Sequence, residues 1–246
     1  MLAIIGGSGL TQLSNLDISR REVVRTPYGE PSGAVTFGRI GCRDVVFLAR
    51  HGYGHTIPPH MVNYRANMWA LAKGAGADSI VSVASVGGIR SDLKPGAVVI
   101  PDQIIDYTWG RHVTYHEGGD NPVVHIDFTE PYDRGLRAHL LAAAANAGET
   151  IIDGAVYATT QGPRLETAAE VNRLERDGAD IVGMTGMPEA CLARELEVPY
   201  AAICVVANWA AGRGDSEHAI SFDRIEEVLK DSLGKARRII EHLCEA

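Results

Sequence analysis

Eight short stretches of this 246-residue chain are apolar at nearly every position rather than at every second one: Leu2–Ile5, Val45–Ala49, Ser79–Val83, Ala97–Ile100, Thr150–Ile152, Ala155–Thr159, Ile181–Gly183 and Tyr200–Ala207. A strand with one face in water alternates polar and apolar residues, so strands without alternation need cover on both faces. Stretches with helical spacing lie between them and can supply that cover. Residues 63–74 put Tyr64, Met68 and Leu71 on one stripe, and the Ala/Leu-rich 133–147 stops at Gly148. Residues 167–177 and Pro188–Glu195 follow, the latter opening on a proline suited to a first helical turn. The last helix, 223–245, carries Ile225, Val228, Leu229, Leu233, Ile239, Ile240 and Leu243. This alternation predicts one α/β domain over 1–246, a central mixed β-sheet flanked by helices. Segment 107–130, with three histidines and Gly118-Gly119-Asp120, reads as the longest loop region.

The net charge of −8 comes without a Lys/Arg cluster, which argues against a nucleic-acid partner. An anionic ligand would need a local positive site built against the overall field. Cys42, Cys191, Cys204 and Cys244 show no C-x-x-C spacing, and a reducing cytoplasm is the simplest setting for them. The apolar start Met1–Ile5 is too short for a signal segment, and no stretch has the length of a membrane span. A soluble cytoplasmic protein with no membrane partner is expected.

Four places could hold an anion. Gly6-Gly7-Ser8-Gly9 follows the first strand, where glycines let backbone N–H groups crowd a ligand and the serine adds a hydroxyl; a plain tight turn would look the same. It is no dinucleotide fingerprint, since Gln12 stands where the third glycine would be, and no nucleophile elbow, since Leu10 lies two after Ser8. In Leu48-Ala49-Arg50-His51-Gly52, Arg50 can grip a phosphate with two N–H groups and His51 can add a donor, although a surface arginine beside a structural histidine is the plainer alternative. His51 and His55 have the spacing of zinc ligands on a helix, but Gly52 and Gly54 make a helix there improbable, so no metal is expected there. Ala84-Ser85 precedes Gly87-Gly88 at a further strand end, and Thr185 stands between a strand and a helix, as an oxyanion ligand or as a mere N-cap. Four such places at strand ends of one sheet are where ligands of α/β proteins gather.

Order and wording extend this. Ile5-Gly-Gly-Ser-Gly-Leu10, Phe47-Leu-Ala-Arg-His-Gly52, His55-Thr-Ile-Pro-Pro59, Val62-Asn-Tyr-Arg-Ala-Asn67, Pro95-Gly-Ala-Val-Val-Ile-Pro-Asp-Gln103, Gln161-Gly-Pro-Arg164, Glu170 and Gly183-Met-Thr185 resemble, in sequence order, the trimeric purine nucleoside phosphorylase and methylthioadenosine phosphorylase family. The likeness runs from residue 1 to about 243 and is nearest to the methylthioadenosine branch. It implies a homotrimer that cleaves a purine nucleoside with inorganic phosphate as substrate and without an organic cofactor. By the resemblance, Ser8, Arg50, His51, Ala84, Ser85 and Thr185 match the phosphate site, and the backbone of Met184 meets the ribose. Leu165 stands where relatives carry a phenylalanine over the purine, Ile220 and Phe222 match the lining of a 5′ pocket, and His125 matches a residue lent by the neighbouring subunit. No counterpart appears for the histidine that ordinary purine nucleoside phosphorylases direct at a 5′-hydroxyl; His218 lies nearby.

The base end departs from the methylthioadenosine pattern. Where that branch reads Ala-Thr-Asp-Tyr-Asp, this chain has Val206-Ala207-Asn208-Trp209-Ala210-Ala211, and where the branch has serine this chain has Glu166. The resemblance implies that Asn208 and Glu166, a pair used by 6-oxopurine phosphorylases, are the catalytic groups on the leaving base, with Ala210 in place of the second aspartate. A 5′-methylthioinosine substrate fits both halves. The alternatives are a methylthioadenosine phosphorylase, an ordinary inosine/guanosine phosphorylase, a nucleoside-binding trimer without activity, and a bland role for Glu166 as helix cap and Asn208 as turn residue.

Overall fold

Strand β1 (Leu2–Gly6) shows why the apolar runs lack alternation. Leu2 and Ile4 pack on one side with Leu136, Leu140, Ile239 and Ile240. Ala3 and Ile5 pack on the other with Met68, Leu71 and Leu192. Each such side chain removed from water contributes about 1.5–3 kcal/mol, so both faces hold the strand. In this computed structural model, which describes residues 1–119 and 122–245 and leaves Asp120, Asn121 and Ala246 outside, helices supply both covers. Helix α1 (Tyr64–Trp69), prolonged by a π-helical turn Ala70–Gly74, and α4 (Gly186–Glu195) cover one face. Helices α2 (Arg134–Asn146) and α5 (Phe222–Glu245) cover the other. A smaller cluster seats α3 (Ala168–Arg176) through Val171 and Leu174.

The sheet is mixed, with eleven strands among the described residues. Strand β4 (Arg43–Ala49) runs parallel to β1 with Ala49 opposite Gly6, so both strands end at the same level. On the other side of β1 lies the long β5 (Ser79–Gly88), where the sheet forks. Strand β11 (Tyr200–Trp209) follows β5 in parallel, while β10 (Ile181–Gly183) runs antiparallel against Gly87 and Gly88. That reversal matters: β10 carries the chain back along β5 and delivers Met184 and Thr185 toward the ends of β1 and β4. Beyond β10 lie β9 (Val156–Thr159) and β7 (Gln103–Asp106); beyond β11 lie β6 (Val98–Ile100) and β8 (Ile152–Asp153).

Three strands escaped the apolar pattern. Strand β2 (Asp17–Glu22) is exposed throughout, β3 (Val35–Ile40) contains Gly38 and Arg39, and β7 is half-exposed. Strands β2 and β7 are edge strands, where one covered face or none suffices, whereas β3 lies between β2 and β4 with both faces packed, its apolar run broken by Thr36, Gly38 and the exposed Arg39. Of the run at Thr150–Ile152 only Ile152 pairs, and Gly87-Gly88 belong to β5 itself rather than to a turn beyond it. Helix α2 is capped by the Asp133 carboxylate, which accepts from the Leu136 N–H. No helix among the described residues is long and apolar enough to cross a membrane.

Candidate functional site

The ends of β1 and β4, the middle of β5, the turn after β10 and the end of β11 enclose a cavity of about 780 Å³. Its deepest corner is built on glycine. At Gly7 an added Cβ would come within 2.6 Å of the Val83 carbonyl and 2.8 Å of Arg50 Nη1, so only glycine lets the β1 turn lie against the arginine. The Arg50 N–H donates to the Gly6 carbonyl at 2.9 Å, which locks the two strand ends together.

Arg50 is fully buried, and its two-point grip is already taken. Nε and Nη2 donate to the Glu189 carboxylate at 2.5 and 3.0 Å, Nη2 also donates to Ser82 Oγ at 2.7 Å, and Nη1 donates to the Val83 carbonyl at 3.2 Å. The expected bidentate grip on phosphate is therefore corrected: the Nε–Nη2 fork faces Glu189, although Arg50 still lines the cavity. Burial alone would disfavour the guanidinium charge; Glu189 outweighs it and holds the pKa above its usual range. Glu189 is itself fully buried and accepts a further hydrogen bond from the Tyr200 hydroxyl at 2.9 Å. Sequence reasoning passed over it as a first-turn residue of a helix. The available signal was a lone carboxylate inside Met187-Pro188-Glu189-Ala190-Cys191-Leu192, since an acid in an apolar run needs a partner.

His51 is corrected in the same sense. Its Nδ1 is 2.8 Å from the Ile57 carbonyl, which can only accept, so Nδ1 carries the proton. Burial, followed by the Arg50 charge, lowers its pKa to about 4. The ring is neutral and Nε2 is an acceptor, able to meet a P–OH but unable to donate to a P–O⁻. Gly52 at φ +74° and His55 at φ +52° rule out a helix over 51–55, as expected, and the two imidazoles lie 4.8 Å apart at a tilt. Ser85 Oγ donates to the Ser8 carbonyl at 3.3 Å and so ties β5 to the β1 turn. Thr185 is buried at the N-terminus of α4, yet its side chain makes no capping bond, which removes the mere N-cap alternative.

At the far end of the same cavity lie Leu165, Glu166, Asn208 and Ala210, with Met184 between the two ends. Glu166 does not cap α3. That task falls to Thr167 and Glu170, which form a reciprocal capping box. Instead Glu166 Oε1 accepts from the Thr160 hydroxyl at 2.6 Å. Its pKa is raised, first by burial, with the Thr160 bond opposing. A bulge between Val206 and Asn208 shifts β11 by one residue against β5 and re-aims Asn208 and the strand end beyond it. Asn208 spends one amide N–H on the Trp209 carbonyl at 2.7 Å and keeps its carbonyl oxygen and one N–H for the cavity.

Ile220 and Phe222 line the mouth, joined by Ile225 and Leu229 of α5, which sequence reasoning left out. Phe222 is 70% exposed. His218 is exposed and does not line the cavity. His125 is also exposed and outside the cavity wall of its own chain. Every other residue expected at the site from the sequence lies on the cavity wall. A second cavity of about 300 Å³ lies beyond Glu166, which lines both. Arg111 was not anticipated either: it donates to the carbonyls of Thr160, Gln161, Met184 and Met187 and so ties the end of β9 to the turn after β10.

Comparison with known proteins meets this geometry. A protein of Pseudomonas syringae pv. tomato described as a probable S-methyl-5′-thioinosine phosphorylase is 52% identical over 244 residues, 99% of this chain and 98% of that one. A 6-oxopurine nucleoside phosphorylase of Pyrococcus furiosus is 48% identical over 216 residues, 86% of this chain and 80% of that one. Among solved structures, methylthioadenosine phosphorylase from Schistosoma mansoni in complex with adenine superposes with a TM-score of 0.94 at 32% identity, covering 99% of this chain and 90% of that one. The phosphorylase superfamily model matches residues 1–245, and with the fold shared over the whole length this chain belongs to that superfamily.

Proposed function

We propose that this chain cleaves 6-oxopurine nucleosides with inorganic phosphate, and that its substrate is S-methyl-5′-thioinosine, giving hypoxanthine and 5-methylthioribose 1-phosphate. The observation that carries this reading is that Glu166 and Asn208 line the same cavity as Arg50 and Thr185. Hypoxanthine presents N1–H as donor and O6 as acceptor. A Glu166 carboxylate accepts the first, and the free Asn208 N–H donates to the second while its carbonyl accepts from N7–H of the departing base. Adenine reverses both demands at N1 and position 6. Relatives named for S-methyl-5′-thioinosine and 6-oxopurine nucleosides, at 52% and 48% identity, support the same choice.

Phosphate is held by Ser8, Arg50, His51, the Ala84–Ser85 segment and Thr185. The glycosidic bond loosens first, and the bound anion stabilises the oxocarbenium-like sugar and then attacks C1′. Met184 meets the ribose and Leu165 the purine face. Ile220 and Phe222 take the 5′-methylthio group, where burying a methyl and sulfur gains about 1–2 kcal/mol over a hydroxyl left without a partner. Phosphate-dependent release from methylthioinosine, methylthioadenosine, inosine and adenosine, compared by catalytic efficiency, tests the reading. Methylthioinosine is expected to lead, and equal efficiency on methylthioadenosine would overturn it.

The same reading makes the active form a homotrimer in which His125 of one copy completes the neighbour's 5′ pocket. The segment around it supports this with exposed apolar side chains, Trp109 at 72% and Val123 at 74%. An active monomer in light scattering would contradict it. The four free cysteines, three of them buried, fit a reducing cytoplasm.

A further inference from the structure

We infer that Thr160 is a specificity-determining residue: its hydroxyl aims the Glu166 carboxylate at the base and selects the oxygen that reads N1–H. The inference rests on the proposed role of Glu166 and adds a residue that touches no substrate. Glu166 stands between two cavities and could turn its carboxylate into either. Thr160 lines only the smaller one. By donating to Oε1 from that side at 2.6 Å, it leaves Oε2 as the oxygen free for the nucleoside cavity.

The anchor itself is held firmly. The Thr160 N–H donates to the Gly183 carbonyl at 2.8 Å, and its own carbonyl accepts from Arg111 Nη2 at 3.3 Å. Arg111 also donates to the neighbouring Gln161 carbonyl at 2.9 Å and to Met184 at 2.8 Å, so the anchor and the ribose platform share one guanidinium. The Thr160 hydroxyl has one proton and two acceptors within reach, Glu166 Oε1 and, at 3.3 Å, the Gly183 carbonyl. An ionised Glu166 draws that proton. A protonated Glu166 competes for it less, and the hydroxyl can turn to Gly183. Thr160 thus favours the carboxylate, the state that accepts from a 6-oxopurine, over the acid, the state that would donate to the bare N1 of a 6-aminopurine. The opposing burial raises the Glu166 pKa, and the charged groups around it are of both signs: Arg164 and Glu170 act on it, and Arg173 lines the smaller cavity beside the neutral Tyr107 hydroxyl.

Thr160→Val keeps the branched shape and deletes the hydroxyl. The expected result is a loss of about tenfold or more in kcat/KM for methylthioinosine, the scale of a hydrogen bond to a charged group. It should appear mainly in the nucleoside KM, with the phosphate KM unchanged and the methylthioinosine-to-methylthioadenosine ratio reduced. The acidic limb of the pH profile should move to higher pH, and Thr160→Ser should restore both ratio and limb. A purely structural role would leave that limb in place. Thr160→Ala serves as a second deletion should the valine variant fold poorly. Glu166→Gln is measured alongside. If Glu166→Gln abolishes the 6-oxopurine preference while the Thr160 deletions keep the wild-type ratio and limb, the inference is overturned and the reading of Glu166 stands. If Glu166→Gln changes nothing, the reading beneath it falls and the inference falls with it.

Discussion

The two ends of the cavity are built on different principles. At the phosphate end the chemistry is buried and wired into the sheet: Arg50 is fully buried, His51 and Thr185 are each 7% exposed, and the arginine's fork is closed by a carboxylate from α4. At the base end Glu166 rides on a loop and Asn208 on a bulged strand terminus, each half-buried and fixed by a single short hydrogen bond. On the proposed function, the common step of the reaction is tied to the core, whereas the choice of base rests on two half-buried side chains outside it. Loops and strand ends carry such variation because the scaffold does not depend on them.

The sharpest way to break that contrast is at Glu189. Glu189→Gln leaves the buried Arg50 without its counter-charge, and removing one partner of a buried pair costs about 3–5 kcal/mol. Chemical denaturation should show a loss on that scale; a variant of wild-type stability would mean that the phosphate end is no more core-bound than the base end. At the base end, Asn208→Asp should fold nearly normally yet shift the methylthioinosine-to-methylthioadenosine efficiency ratio by about 100-fold or less toward the adenosine. The new carboxylate repels O6 and accepts from a 6-amino group, and a hydrogen bond to a charged group is worth about 1.5–3 kcal/mol. It also meets the Trp209 carbonyl, so some activity on both substrates is expected to go.

Glu166 sharpens the comparison through pH. Its folded pKa is raised by burial, so the folded state binds a proton more readily than the unfolded chain. Activity on 6-oxopurines needs the carboxylate and should fall about tenfold per pH unit as pH drops through that raised value, starting above the range of an exposed glutamate. Stability runs the other way: the contribution of this group is present below the unfolded pKa and is lost as pH rises through the folded one. Glu166→Gln should therefore be at least as stable as wild type at neutral pH while losing methylthioinosine turnover, a dissociation that thermal melts and assays reveal together. The smallest effect is expected at Thr185. Thr185→Ala deletes one neutral hydroxyl without uncapping α4, and should raise the phosphate KM about twofold to tenfold, the range of a neutral hydrogen bond. An unchanged phosphate KM would remove Thr185 from that end.

Much of this arrangement is legible along the chain. Unalternating runs such as Leu2–Ile5 and Tyr200–Ala207 require two covered faces, and the helices that cover them announce themselves through stripes such as Leu233, Ile239, Ile240 and Leu243. Ser8, Arg50 and Thr185 can be named from their types and their places at strand ends, whereas Glu166 and Asn208 are named only through the family resemblance. What each side chain faces is not local. Arg50 meets Glu189 across 139 positions, Thr160 takes Glu166 away from the helix it precedes, and the His51 proton is assigned by a carbonyl that only the turn at Gly52 brings near. The outer strands β2 and β7 are decided by pairing alone, since an edge needs no apolar pattern of its own. Residue type sets which hydrogen bonds and charges a side chain can offer; burial and the groups brought against it in three dimensions decide which of those offers remain open to a ligand.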